Sequence, residues 1–150
     1  MLSDPTISIR PIGWVRNQVT QLRDDWSQIV SEIEVEETWV EALEGIEQFS
    51  HIVVLFWMHR LEEKERNIKR IHPKDRLDLP LLGVFATRTQ YRPNPIGVTV
   101  ARLLRREGRS LWVQGLDALD GSPVLDLKPY TPALEPTSEV TLPDWVARLR

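Results

Sequence analysis

The feature that most constrains this chain is a close succession of short β-branched runs separated by turn residues. Residues 82–86, 96–105, 110–116 and 124–128 each read as a strand, with Glu107-Gly108 and Asp120-Gly121 as turn signals between them. Upstream, residues 7–15 and 29–35 add two strands of rough alternation. Residues 50–59 form a near-continuous apolar run whose length and β-branching predict a strand buried on both faces. Trp39, Val40 and Leu43 fall at helical spacing ahead of Gly45, which predicts a short helix or turn over 36–43. Residues 64–79 are charged and contain Pro73, so they read as an exposed excursion with one short helix. Pro143-Asp144-Trp145-Val146 has the look of a terminal helix opening on proline. Many short strands of this kind predict an all-β, mainly antiparallel small barrel with short helical excursions.

At 150 residues the chain is expected to form a single domain, with a core over about 7–130 and a tail over 131–150. It has no cysteine, which excludes disulfides, zinc-thiolate sites and thiol nucleophiles and fits a reducing cytoplasm. The N-terminus lacks the basic-then-apolar order of a secretory signal. The longest apolar run, 52–58, is far shorter than the ~20 residues that span a bilayer. A soluble, cytoplasmic protein is therefore expected. The seven glycines include no Gly-x-Gly pair, so no dinucleotide fingerprint can be built. His51, His59 and His72 follow no metal-ligand spacing, and no Gly-x-Ser-x-Gly elbow exists. No metal is expected.

Two stretches carry unusual chemistry. Residues 88–97, Arg-Thr-Gln-Tyr-Arg-Pro-Asn-Pro-Ile-Gly, bracket Asn94 between Pro93 and Pro95, which stiffens the loop. A stiff loop with two guanidinium groups suits an anion held in one geometry, because little ordering entropy is left to lose. Residues 116–130 place Asp117, Asp120, Asp126 and Lys128 in one apolar-turn-apolar segment. Asp126 and Lys128 are expected to share one strand face, either as a cross-barrel salt bridge or as ligand contacts. A net charge of −3 leaves nucleic-acid binding to a local patch. The cations of 60–76 form one, diluted by acids, and ordinary solvated surface is the competing account. Trp14, Trp39, Trp57, Trp112 and Trp145 fall at apolar-periodic positions and are expected in the core, and Trp26 at an interface. An apolar edge strand at 52–58 would endanger a monomer, which favours a homodimer.

Four motifs in order, Gly-Ile-Glu-Gln-Phe-Ser-His (45–51), Gly-Val-Phe-Ala-Thr-Arg (83–88), Arg-Pro-Asn-Pro-Ile-Gly (92–97) and Leu-Asp-Gly-Ser-Pro-Val-Leu-Asp-Leu-Lys-Pro-Tyr (119–130), resemble the TsaA-like family of TrmO-type tRNA methyltransferases. The opening Ile-Gly-Trp-Val (12–15) resembles that family's first strand. The resemblance implies a TsaA-like, TrmO-type barrel of non-Rossmann fold that binds S-adenosyl-L-methionine. It also implies homodimers and a tRNA substrate, with methylation of the exocyclic N6 of threonylcarbamoyl-adenosine beside the anticodon of threonine tRNA. Many members continue into a further domain after the Pro-Tyr motif, where this sequence has about twenty residues. Two other accounts keep the fold: a barrel acting on a small molecule or another RNA, and a non-catalytic cofactor-binding module.

The acceptor nitrogen must lose a proton, and His51, Asp117, Asp120 and Asp126 are candidate bases. Arg88 and Arg92 are candidates to hold the threonyl carboxylate or a phosphate bidentately. On the family reading, Arg88 joins His51, Asp117 and Asp126 as a catalytic candidate. Cofactor contacts are then expected from Arg88, Arg92, Asn94, Pro95, Asp120, Lys128 and Tyr130. Pro93, Pro95 and Gly97 read as scaffold that brings the backbone close to the cofactor. RNA contacts are expected from Arg66, Lys69, Arg70 and Lys74.

Overall fold

The computed structural model describes residues 5–136 and 138–149. They form the strands β1 (Gly13–Arg16), β2 (Val30–Val35), β3 (His51–Trp57), β4 (Arg70–Ile71), β5 (Leu82–Gly83), β6 (Ile96–Glu107), β7 (Ser110–Gln114) and β8 (Pro123–Pro129). Every helical segment among the described residues is a 3-10 turn, and none is long and apolar enough to cross a membrane. Six strands close a barrel in the order β1-β2-β7-β6-β3-β8, and β4 pairs with β5 in a separate ladder. The chain divides into two compact units. One, 1–57 with 97–130, carries the barrel; the other, 58–96 with 131–150, carries the ladder and the C-terminal 3-10 segment.

The barrel follows from a period of two. On β3, Ile52, Val54 and Phe56 point inward and are buried, while His51, Val53, Leu55 and Trp57 stay half-buried on the outside. Val15, Ile33, Val35, Ala101, Leu103, Leu111, Val113 and Val124 complete the buried apolar interior. The apolar run at 50–59 is therefore not buried on both faces, because a closed barrel has one interior. Nor is it an edge: β3 lies between β6 and β8, so the edge-strand argument for a dimer does not hold.

Close packing against Phe56 requires glycine at 97. A Cβ built there would lie 2.7 and 2.8 Å from two ring carbons of Phe56, itself 3% exposed. Gly108 and Gly121 take left-handed φ of 61° and 82°, as their turns require. Elsewhere the elements are shorter than predicted. Ile7 and Ile9 are 84% and 54% exposed and β1 begins only at Gly13, while β5 gives way after Gly83 to a 3-10 turn over Val84–Ala86. The short helix predicted over 36–43 is a 3-10 segment, Glu37–Leu43, closed before Gly45 at φ 90°. None of the tryptophans lies in the barrel core: Trp39 is exposed and the other five are half-buried. Trp112 sits on the outer face, 4.6 Å beneath the Arg105 guanidinium.

Register also decides which residues share a barrel end. β1, β3 and β7 finish at one rim, where β2, β6 and β8 begin; the other rim carries the opposite termini.

Candidate functional site

The first rim is polar. The Asp120 carboxylate accepts the backbone N–H of Asn17 at 2.8 Å and of Gln18 at 3.2 Å, while its own N–H donates to the Val19 carbonyl at 2.7 Å. The Asn17 amide donates to the buried Ser31 hydroxyl and to the Ala118 carbonyl, both at 2.9 Å. Together they clamp the 17–19 loop, in which Gln18 is held at a φ of 63°. Asp117 is exposed on the same rim and accepts a hydrogen bond from the Thr99 hydroxyl at the start of β6.

His51, Lys128 and Tyr130 lie at the other rim, so the structure does not gather all the barrel candidates in one place. The Tyr130 N–H donates to the His51 carbonyl at 3.1 Å, and their rings meet edge to face at 6.3 Å. The His51 ring Nδ1 lies 2.7 Å from the Ser50 hydroxyl. Asp126 and Lys128 do share the outer face of β8, and their 3.0 Å ion pair runs along the strand rather than across the barrel. Half-exposed pairs of this sort contribute about 0–1 kcal/mol. Asp126 also borders a cleft of ≈ 590 Å³ whose walls include Trp39, Leu43, Phe49 and Leu127. That cleft escaped sequence reading, although Trp39 and Phe49 flank a segment dense in glutamate.

In the second unit, the loop ahead of β6 is as stiff as its prolines demand. Arg92 donates through Nη1 to the carbonyls of Thr87 and Thr89, both at 3.0 Å, and its guanidinium lies 5.9 Å from the Phe85 ring centroid. Arg66 donates to the Pro93 carbonyl at 2.8 Å, and the Met58 N–H to that of buried Pro95 at 2.8 Å. Asn94 is exposed and closes a tight turn through its carbonyl, which accepts the Ile96 N–H at 2.7 Å. Arg92 is thus a staple of the loop, and Arg88 lies exposed within it. Of the four cations expected to meet RNA, Arg66 is bound to this loop and Lys74 donates to the Leu149 carbonyl at 2.7 Å. Lys69 and Arg70 are exposed, and among the described residues neither forms an ion pair. Sequence reading also passed over Phe85, which is 77% exposed. The available signal was four apolar side chains around Gly83 at 81–85, more than a two-residue strand can cover.

Comparisons with known proteins converge. A family model described as the tRNA-methyltransferase O N-terminal domain matches residues 20–135. A protein of Methanothermobacter thermautotrophicus, named a probable S-adenosyl-L-methionine-binding protein, is 44% identical over 134 residues, covering 86% of this chain and 93% of that protein. A Pseudomonas aeruginosa protein, named a putative S-adenosylmethionine-dependent methyltransferase RcsF, is 52% identical over 94 residues, 62% of this chain and 40% of that protein. A crystal structure of TrmO from Pseudomonas aeruginosa superposes with a TM-score of 0.75 at 34% identity; the match covers 96% of this chain and 63% of the TrmO chain.

Proposed function

The chain belongs to the tRNA-methyltransferase O family, matched through its N-terminal domain, and on that premise we propose that it is an S-adenosyl-L-methionine-dependent methyltransferase. Its proposed acceptor is the exocyclic N6 of threonylcarbamoyl-adenosine in threonine tRNA. The observation that carries the reading is the closed six-strand barrel with Asp117 and Asp120 on its polar rim, in a chain of this family.

The residues present fit the cofactor by their chemistry. S-adenosyl-L-methionine offers a carboxylate, which suits the exposed guanidinium of Arg88. When bound, the cofactor supplies an electrophilic methyl on a sulfonium centre. The protein's part is alignment and water exclusion, and a loop stapled by Arg92 and two prolines provides alignment at little entropic cost. The acceptor nitrogen is a weak nucleophile and must give up a proton. Asp117 is the proposed recipient. Asp120 is committed to the 17–19 loop, Asp126 is paired with Lys128, and His51 is at the far rim beside Ser50 and Tyr130.

RNA binding is assigned to Arg70 on β4 and to Lys69 just before it, in preference to Arg66 and Lys74, which hold the fold. Replacing both with alanine is expected to weaken tRNA binding and to flatten its dependence on log salt by about 0.7–0.9 per lost phosphate contact. A salt titration that superposes on the wild type would remove these residues from the interface. The reading further includes a cytoplasmic homodimer. Its support is the outer face of β6, where Val98, Val100 and Leu104 are 46%, 46% and 40% exposed.

A further inference from the structure

We propose that Phe85 is a stacking platform for an unpaired base of the RNA substrate. The inference rests on the RNA reading above and names the residue that would hold the base. Phe85 is the largest aromatic exposure in the second unit, at 77%. A floppy side chain so exposed would offer a base little, but this one is carried by a braced turn. The Val84 N–H donates to the Lys69 carbonyl at 2.9 Å, and the Thr87 hydroxyl donates to the Val84 carbonyl at 2.8 Å. Arg92, fixed by two carbonyls, places its guanidinium 5.9 Å from the ring centroid. The ring is therefore positioned from its own turn and from one neighbouring cation.

The surroundings identify the occupant. Arg70 is paired with Gly83, and Lys69 with Val84 through the backbone, so two exposed cations run alongside the residues just before Phe85. An aromatic face among cations that can follow a phosphate backbone is the recurring arrangement for single-stranded nucleic acid, where each stacked base is worth about 1–3 kcal/mol. A base beside an anticodon lies in such a single-stranded loop and has its face available.

The test uses the full chain and an anticodon stem-loop RNA with a fluorescent aminopurine at the adenosine beside the anticodon. Phe85→Ala is expected to bind this RNA about tenfold or more weakly and to abolish the stacking quench, while Phe85→Trp restores both. Cofactor affinity should be unchanged. The salt slope should also be unchanged, because a stacked base releases no counterions, and this separates Phe85 from Lys69 and Arg70. Unaltered RNA affinity and quench in Phe85→Ala, with the wild type binding well, would overturn the inference and leave the RNA reading intact. A shift of Phe85→Ala to slower sedimentation with no loss of RNA affinity would instead make Phe85 a contact between copies of the chain. Failure of the wild type to bind any RNA would overturn both.

Discussion

Substituting alanine for Gly97 is expected to destabilise the barrel by about 2 kcal/mol, because the added methyl collides with the Phe56 ring. Neither partner can yield cheaply. Phe56 is 3% exposed among the inward residues of β3, and Gly97 lies on the backbone of β6, the neighbouring strand. In a chain of this size the melting temperature should fall by roughly 2–4 °C for each kcal/mol. Contact, rather than backbone strain, is the stated cause, so a second substitution separates the two. Phe56→Leu in the Gly97→Ala background should recover part of the loss, with a coupling of about 0.5–3 kcal/mol. Thermal melts of the four proteins in this cycle check it. Simple additivity of the two losses would show that the methyl and the ring do not collide.

The second large effect is on activity. Reversing the charge at Arg88 to glutamate is expected to lower methyl transfer by about a hundredfold or more, since it replaces a bidentate partner for a carboxylate with a repulsive one. Much of the loss should appear as weaker cofactor binding, measured by calorimetry, because the proposed ligand of Arg88 is the methionine carboxylate. Thermal stability should change little at so exposed a position. Arg92 should behave differently. Its guanidinium holds the carbonyls of Thr87 and Thr89, so Arg92→Ala should loosen the loop and reduce turnover without removing a ligand contact. An Arg88→Glu protein with normal cofactor affinity but a raised KM for tRNA would transfer Arg88 to the acceptor. Normal values for both would remove it from the site.

The strands were legible where alternation and turn chemistry spoke together. Glycines 108 and 121, both in left-handed conformations, mark where β6 turns into β7 and where the chain turns before β8, and the buried positions of β2, β3 and β7 follow period two. What sequence could not show was partnership. That β3 lies between β6 and β8, and so is no edge, depends on closure of the whole barrel. The reason for Gly97 lies in a distant phenylalanine, and Asp120 is explained only once the 17–19 loop folds back onto it. Tryptophans that look periodic were expected inside, yet a small barrel has too little interior for them and its core is filled by Val, Ile and Leu. At the candidate site, composition gave the cations of 66–74 and 88–92. Only geometry shows that Arg66, Lys74 and Arg92 are bound to backbone carbonyls of the fold.

The most direct test of the central claim is transfer of labelled methyl from S-adenosyl-L-methionine to threonine tRNA. Fully modified tRNA and tRNA lacking the threonylcarbamoyl group would be compared side by side. The proposed function predicts label in the modified RNA alone. Label in neither RNA, with cofactor binding confirmed, would contradict it and assign the barrel another acceptor.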